Sequence, residues 1–354
     1  MESLVIVTGA GASVHLGRDR DLPMMSGWAD DLRRRLGNLA DQLGLKPQMD
    51  GIEFEECIGR FLRFTRGLDD VASYPWIGYA DSMKPVNDAE SWFRQAATSS
   101  KQIQQTIFES LHELFGFGRI DATKAEMAYG KLFEYLHPEK VALATTNYDV
   151  SGEMALDRLG FRPYSGHDGS LEFGRVQRVH VEGITDRNPD RSPVLYLHGR
   201  VSWYVQPDGS LAAADPQSPF NADSGTPALL LPDPEKLYDA PATSILWQQF
   251  EELIAPGSAV LVLGHSLTDA KLVDALRRQK PDRLAVSLYI PPNETDVGRR
   301  VGEERARLTG LLGRDAIVLP LQFGPQVIGS KRALQFFSDS LSQGTDADYD
   351  FGPL

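Results

Sequence analysis

Apolar residues run unbroken from Leu4 to Val7, then give way at once to Thr8-Gly9-Ala10-Gly11-Ala12-Ser13. A run this short, bounded by glycines and rich in valine and isoleucine, predicts a strand buried on both faces. Two glycines at its exit let backbone amides approach a ligand without a Cβ in the way, and a helix start beyond them would add partial positive charge. The junction therefore predicts a cradle for a diphosphate. It has the G-x-G start of a dinucleotide fingerprint, but Val14 stands where the third glycine belongs.

Beyond Pro23 the period lengthens. From about 26 to 136 the spacing is helical: Trp28, Leu32, Leu36 and Leu39 or Ala40 fall on one face with Arg33 to Arg35 opposite as a solvated face. Residues 102–115 give the clearest stripe (Ile103, Ile107, Phe108, Leu111, Leu114, Phe115), with Gly116 as the C-cap. Pro75, Gly78 and Pro85 make 67–90 a loop in which Tyr74, Trp76 and Tyr79 are packing residues. Strands are then expected at 141–145, 176–181, 194–197, 259–263, 284–290 and 317–319. Helices are expected at 150–159, 242–254, 269–279 and 331–342, and a mobile loop at 206–226. Strands alternating with helices predict an α/β fold, a Rossmann-like doubly wound parallel sheet. Segments 1–23 and 140–343 would form this core, 24–139 a helical insertion, and 344–354 an acidic flexible tail.

The chain has 354 residues and a net charge of −13, from 36 basic and 49 acidic side chains. That balance argues against non-specific binding to nucleic acid or to anionic membrane surfaces. No run of 18 apolar residues occurs and the start has no signal-peptide pattern, so a cytoplasmic protein with no membrane partner is expected. Cys57 is the single cysteine. It excludes intrachain disulfides and every multi-cysteine zinc site, and beside Ile58 and Phe61 it reads as a small buried hydrophobe.

In a doubly wound sheet, ligands bind beyond the carboxyl ends of the strands. The polar residues in those places are Gly9 to Ser13, Thr146-Asn147-Tyr148-Asp149, His198-Gly199 and Gly264-His265-Ser266-Leu267-Thr268-Asp269. Asn147 also suits the N-cap of the helix that follows. His15 and His265 sit inside the cradle motifs and could contact a ligand, His112 and His137 fall on helices, and His167-Asp168 lies between glycines as a turn. Asp30 and Asp31 follow the glycines at the distance of a ribose-binding acid, but in helical context, which disfavours a dehydrogenase.

Together, Gly-Ala-Gly-Ala-Ser at 9–13, Leu22-Pro23, Thr-Thr-Asn-Tyr-Asp at 145–149, Leu-His-Gly at 197–199 and Gly-His-Ser-Leu at 264–267 resemble the sirtuin-like family of NAD-consuming proteins. The resemblance covers about 4–290 apart from the helical insertion. The four zinc cysteines of protein-deacylating sirtuins are missing, Asp21 replaces the small residue before Leu-Pro, and the adenosine-binding asparagine has only Ser287 or Asn293 in its neighbourhood. The chain is thus most similar to bacterial sirtuin-like NAD hydrolases that act as anti-phage effectors.

That resemblance implies NAD as substrate, with no metal. It implies Asn147 and His198 as catalytic residues: Asn147 orienting the attacking water or ribose hydroxyl, His198 acting as base or ribose partner. Asp149 would meet the carboxamide, while Thr8, Gly9, Ala10, Gly11, Ser13, Gly264 and Ser266 would hold the phosphates and adenosine side. It further implies a homo-oligomer and a regulatory partner such as a HerA-like ATPase. A protein deacylase or ADP-ribosyltransferase, and a noncatalytic nucleotide-binding subunit, are the alternatives.

Overall fold

The computed structural model describes residues 3–72, 84–167, 176–185, 190–206, 208–214, 226–230, 241–291, 294, 296–325, 328–329, 335 and 338–339. The first apolar run forms β1 (Ser3–Thr8), followed by a single helical turn, α1 (Ala10–Ser13), and a 3-10 turn at Val14–Leu16. Helices α2 (Met25–Leu36), α3 (Asn38–Gln42), α4 (Gly51–Ala72), α5 (Lys84–Phe115) and α6 (Ala122–Leu136) come next. Then the chain alternates: β2 (Lys140–Thr145), α7 (Ser151–Arg158), β3 (Pro163–Tyr164), β4 (Val176–Arg178), β5 (Ser192–Tyr196), β6 (Gly199–Val205), β7 (Leu211–Ala214) and β8 (Thr226–Leu229). It ends with α8 (Pro241–Leu253), β9 (Ala259–Leu263), α9 (Ala270–Gln279), β10 (Arg283–Leu288), α10 (Val297–Leu312), β11 (Ile317–Gln322) and β12 (Ile328–Gly329).

The main sheet has the order β12-β11-β10-β9-β1-β2-β5-β3. Its strands from β11 to β3 are parallel, with β12 antiparallel at one edge. Leu4, Ile6, Val260, Leu261, Val262 and Val194 are fully buried, as a sheet covered on both faces requires. This is the Rossmann-like doubly wound architecture expected. Strand order reverses between β1 and β9: the chain leaves β1 towards β2 and β5 on one side, and β9 leads to β10 and β11 on the other. A crevice at such a switch point is where this fold binds ligands.

Two apolar clusters divide the chain. One surrounds the sheet and includes α6 through Ala125, Ala128, Tyr129, Leu132 and Leu136. The other unites Trp28, Leu32, Leu36, Phe54, Cys57, Ile107 and Leu111 of the helical segment with Tyr148 and Val201. Of the segment expected as an insertion, α2 to α5 thus make the separate cluster, while α6 lies on the sheet.

Several local expectations are corrected. Helix occupies 67–72 and 84–90 of the stretch read as loop, because Pro85 stands in the first turn of α5, where its missing N–H and fixed φ are tolerated. Residues 73–83, with Tyr74, Trp76 and Tyr79, lie outside the described residues. Within 206–226, a turn fixed by Asp208 accepting from the Ser210 amide (2.9 Å) joins β6 to β7. These strands belong to a second, antiparallel sheet of order β4-β7-β6-β8. Helix α10 was not legible because its period is thin: Leu308 and Leu312 are buried among arginines and glutamates paired along the surface. Most of 331–342 and all of the tail fall outside the described residues.

Candidate active site

The two glycine loops at the switch point interlock. Gly9 and Gly11 donate their amides to Leu263 O (3.0 Å) and Gly264 O (2.9 Å). A Cβ on Gly9 would stand 2.8 Å from Gly264 O, and one on Gly264, at φ +57°, would stand 2.1 Å from Ala12 N. Backbone packing between loops therefore explains these glycines. The expected contribution of a helix N-terminus is small, since α1 is one turn long. On the far side, the Gly264 amide donates to Ser287 Oγ at 2.9 Å. Ser287 thus pins this loop; Asn293 is outside the described residues.

Asn147 is buried at the end of β2, and its Nδ2 donates to Gly9 O and to Ser13 Oγ, both at 2.9 Å. Ser13 Oγ lies 3.2 Å from Ser151 Oγ. Asn147 caps no helix: the amide of Ser151, first residue of α7, donates to Asp149 Oδ1 (2.9 Å). Asp149 is buried, and its charge, after burial itself, helps push the Tyr129 phenol far up. Thr8 contributes its carbonyl to the Thr146 amide (3.1 Å), tying the loops of β1 and β2 together.

His198 follows β5 by two residues and enters the second sheet at Gly199. There φ is +82° and a Cβ would collide with Ala228 O, so only glycine fits the joint. The His198 Nε2 lies 2.9 Å from Asp269 Oδ2, with side-chain exposures of 7% and 4%. Asp269 also caps α9, Oδ1 accepting from the Leu272 amide at 3.1 Å. Sequence reasoning put 264–269 at a strand end but gave Asp269 no part; its N-cap position was readable, its second partner was not.

Burial differs among the expected site residues. Ala10 and Ser266 are exposed and Gly11 and Gly264 half-exposed, whereas Ser13, Asn147, Asp149, His198 and Asp269 are buried. Ser266 Oγ lies 3.0 Å from Thr268 Oγ1, both residues being exposed.

A second polar cluster, missed from sequence, lies beside α7. Glu153 accepts from Tyr196 OH (2.7 Å), Ser165 Oγ (3.1 Å) and, as an ion pair, Arg200 Nη1 (3.2 Å). Arg200 Nη1 is also 3.0 Å from His167 Nε2. Burial opposes ionisation of Glu153, but Arg200, Tyr196, His167 and Ser165 outweigh it and hold the carboxyl below the usual range. Asp168 is outside the described residues.

The other singled-out residues have partners within the protein. His15 pairs with Asp21 (3.1 Å), and His265 Nδ1 accepts from the Leu267 amide (2.8 Å). His112 is pushed down by burial, and His137 is the left-handed C-cap of α6. Cys57 is buried and donates to Leu43 O. Asp31 belongs to the helical cluster, bonded to Arg34, Arg35 and Ser110. The Arg33–Arg35 run is correspondingly not a plain solvated face, since Arg35 reaches across to Glu113 of α5 (2.7 Å).

Among the described residues no group of three histidine, cysteine or acidic side chains is arranged to hold a metal, and no helix is long and apolar enough to cross a membrane. The fold and the convergent loops define a Rossmann-like α/β protein with buried polar residues at its switch point. No protein-family model matches the chain, and no curated protein matches it.

Proposed function

We propose that this chain hydrolyses NAD, releasing nicotinamide and ADP-ribose. One observation carries the reading: Asn147 and His198, both buried, follow the neighbouring parallel strands β2 and β5, with the interlocked glycine loops after β1 and β9 at the same end of the sheet. A dinucleotide would suit this arrangement, with its charged diphosphate toward the more exposed glycine loops and its reacting glycosidic bond toward the buried residues.

The nicotinamide of NAD is cationic and leaves neutral, so no general acid is required. Water attacks the ribose C1′; the C1′–N bond breaks with its electron pair passing to the ring; the water proton goes to His198 and then to solvent. With both Nδ2 hydrogens committed to the loop, Asn147 would orient that water through its Oδ1 acceptor. Asp149, with Oδ1 engaged by Ser151, offers Oδ2 to the carboxamide NH2. Exclusion of water around these buried groups strengthens their electrostatic action on the oxocarbenium-like ribose.

The resemblance to bacterial sirtuin-like effectors extends the proposal to NAD depletion in anti-phage defence, in the cytoplasm, by a homo-oligomer restrained by a partner such as a HerA-like ATPase. The lone cysteine disfavours the zinc-bearing deacylase alternative.

The test is incubation of wild type, Asn147→Ala and His198→Ala with NAD while nicotinamide and ADP-ribose are followed, with and without an acetylated peptide. Equal product in wild type and equal loss in both variants is expected. NAD survival in all three, both in isolation and with any activating partner supplied, overturns the proposal; consumption strictly tied to peptide would favour the deacylase.

A further inference from the structure

We infer that Asp269 is a positioning residue for His198, fixing the imidazole as its Nε2–H tautomer so that Nδ1 is the basic nitrogen. The inference rests on the proposed hydrolase reading for its catalytic meaning, but the pairing itself is tested separately below.

The strands that deliver the two residues are not neighbours. β5 and β9 are separated by β2 and β1, a span of roughly 14 Å across the sheet, yet the loops beyond them close to 2.9 Å. The carboxylate is held from both ends. Asp269 Oδ1 is the N-cap of α9, a ten-residue helix, and the turn before it is set by Leu267 at φ +55°, whose amide donates to His265 Nδ1. Capping needs one oxygen, and serine, threonine or asparagine would supply it. The second oxygen goes to a buried histidine instead.

An ionised carboxylate at a helix N-terminus is favoured by the helix dipole and can only accept hydrogen bonds. Nε2 of His198 must therefore donate, which in the neutral ring leaves the lone pair on Nδ1. When water attacks C1′, its proton passes to Nδ1; the imidazolium formed lies against the Asp269 carboxylate, which stays ionised, and the proton then leaves to solvent. Trp247 of α8 backs the ring, 6.4 Å between centroids, with Lys271 of α9 5.1 Å from the indole. Tyr148, from the loop after β2, also feels the Asp269 charge, after burial and Glu55. Asp269 thus lies in direct contact with His198, while Lys271 stands beyond the indole and the Tyr148 phenol is held neutral.

The full-length chain, labelled with 15N-histidine, is titrated over about pH 5 to 9, the range in which imidazole changes charge. Wild type is compared with Asp269→Ser and Asp269→Asn, and loss of one ring signal in His198→Gln assigns His198. Wild type is expected to show the Nε2–H tautomer, and Asp269→Ser, which keeps the cap, a His198 pKa lower by about 1 unit or more. Asp269→Asn, whose amide donates, should turn the ring to Nδ1–H. Where wild type cleaves NAD, both variants should lose kcat by on the order of 100-fold with KM little changed, and Asp269→Ser should move the acid limb of the profile downward. An unchanged His198 tautomer and pKa in the folded serine variant overturns the inference; should that variant unfold, the asparagine variant's tautomer decides alone. Absence of NAD cleavage by wild type defeats the hydrolase reading instead, and the ring titration still decides the pairing.

Discussion

The Nδ2 of Asn147 donates to Gly9 O and Ser13 Oγ at 2.9 Å each, so a candidate catalytic side chain is also the clamp on the first glycine loop. Replacing it with alanine leaves a buried carbonyl without its donor, at about 1–3 kcal/mol. Asn147→Asp preserves shape but cannot donate to Gly9 O. Both variants should therefore unfold at lower denaturant than wild type and lose NAD cleavage. Aspartate retaining wild-type stability would show that the clamp contributes nothing.

Gly264→Ala tests the interlock. The substitution meets a left-handed backbone and a Cβ 2.1 Å from Ala12 N, whereas Gly313, at φ +66°, has nothing within 4 Å. Gly313→Ala should destabilise by about 1 kcal/mol, from conformation alone. Gly264→Ala should destabilise by roughly 3 kcal/mol, because steric overlap is added to the backbone term. Denaturant midpoints of the pair separate the two causes.

Glu153→Gln leaves the Arg200 charge buried without its carboxylate, at about 3 kcal/mol near neutral pH. Because the folded carboxyl is held below its ordinary range, its contribution is fully present above the usual glutamate pKa and is lost as pH falls through that range towards the folded value. The gap between wild type and variant should thus close on acidification. A gap independent of pH would mean that packing, not charge, holds the cluster.

Asp31→Asn removes the acceptor shared by Arg34, Arg35 and Ser110 in the helical cluster. Stability should drop by about 2 kcal/mol, while nicotinamide release below the melting transition should stay near wild type. A selective rise in KM for NAD would restore the dehydrogenase-like reading in which this acid meets a ribose.

The main sheet was legible because its strands are apolar on both faces: Leu4 to Val7, Val141 to Ala144 and Ala259 to Leu263 admit little else. The ends of those strands gave the convergence of Asn147 and His198. What stayed hidden depends on pairing between distant segments. The hairpin at 199–214 needs Ala212 and Ala213 opposite Tyr204 and Trp203, and small residues carry weak strand preference. Helix α10 has too few apolar positions to show a face. The links from Asp269 to His198 and from Glu153 to Arg200 join residues 71 and 47 positions apart, and no local pattern announces a partner at that separation.

Tyr148 and Val201 belong to the helical cluster, although both are carried by the core that surrounds the crevice. One directly follows Asn147 and the other lies three positions after His198. The helices α2 to α5 thus pack against core side chains that lie one and three positions along the chain from Asn147 and His198, with Leu229 packed beside them. Truncating Tyr148 or Val201 would therefore loosen the helical bundle and disturb, at the same time, the loops that carry Asn147 and His198.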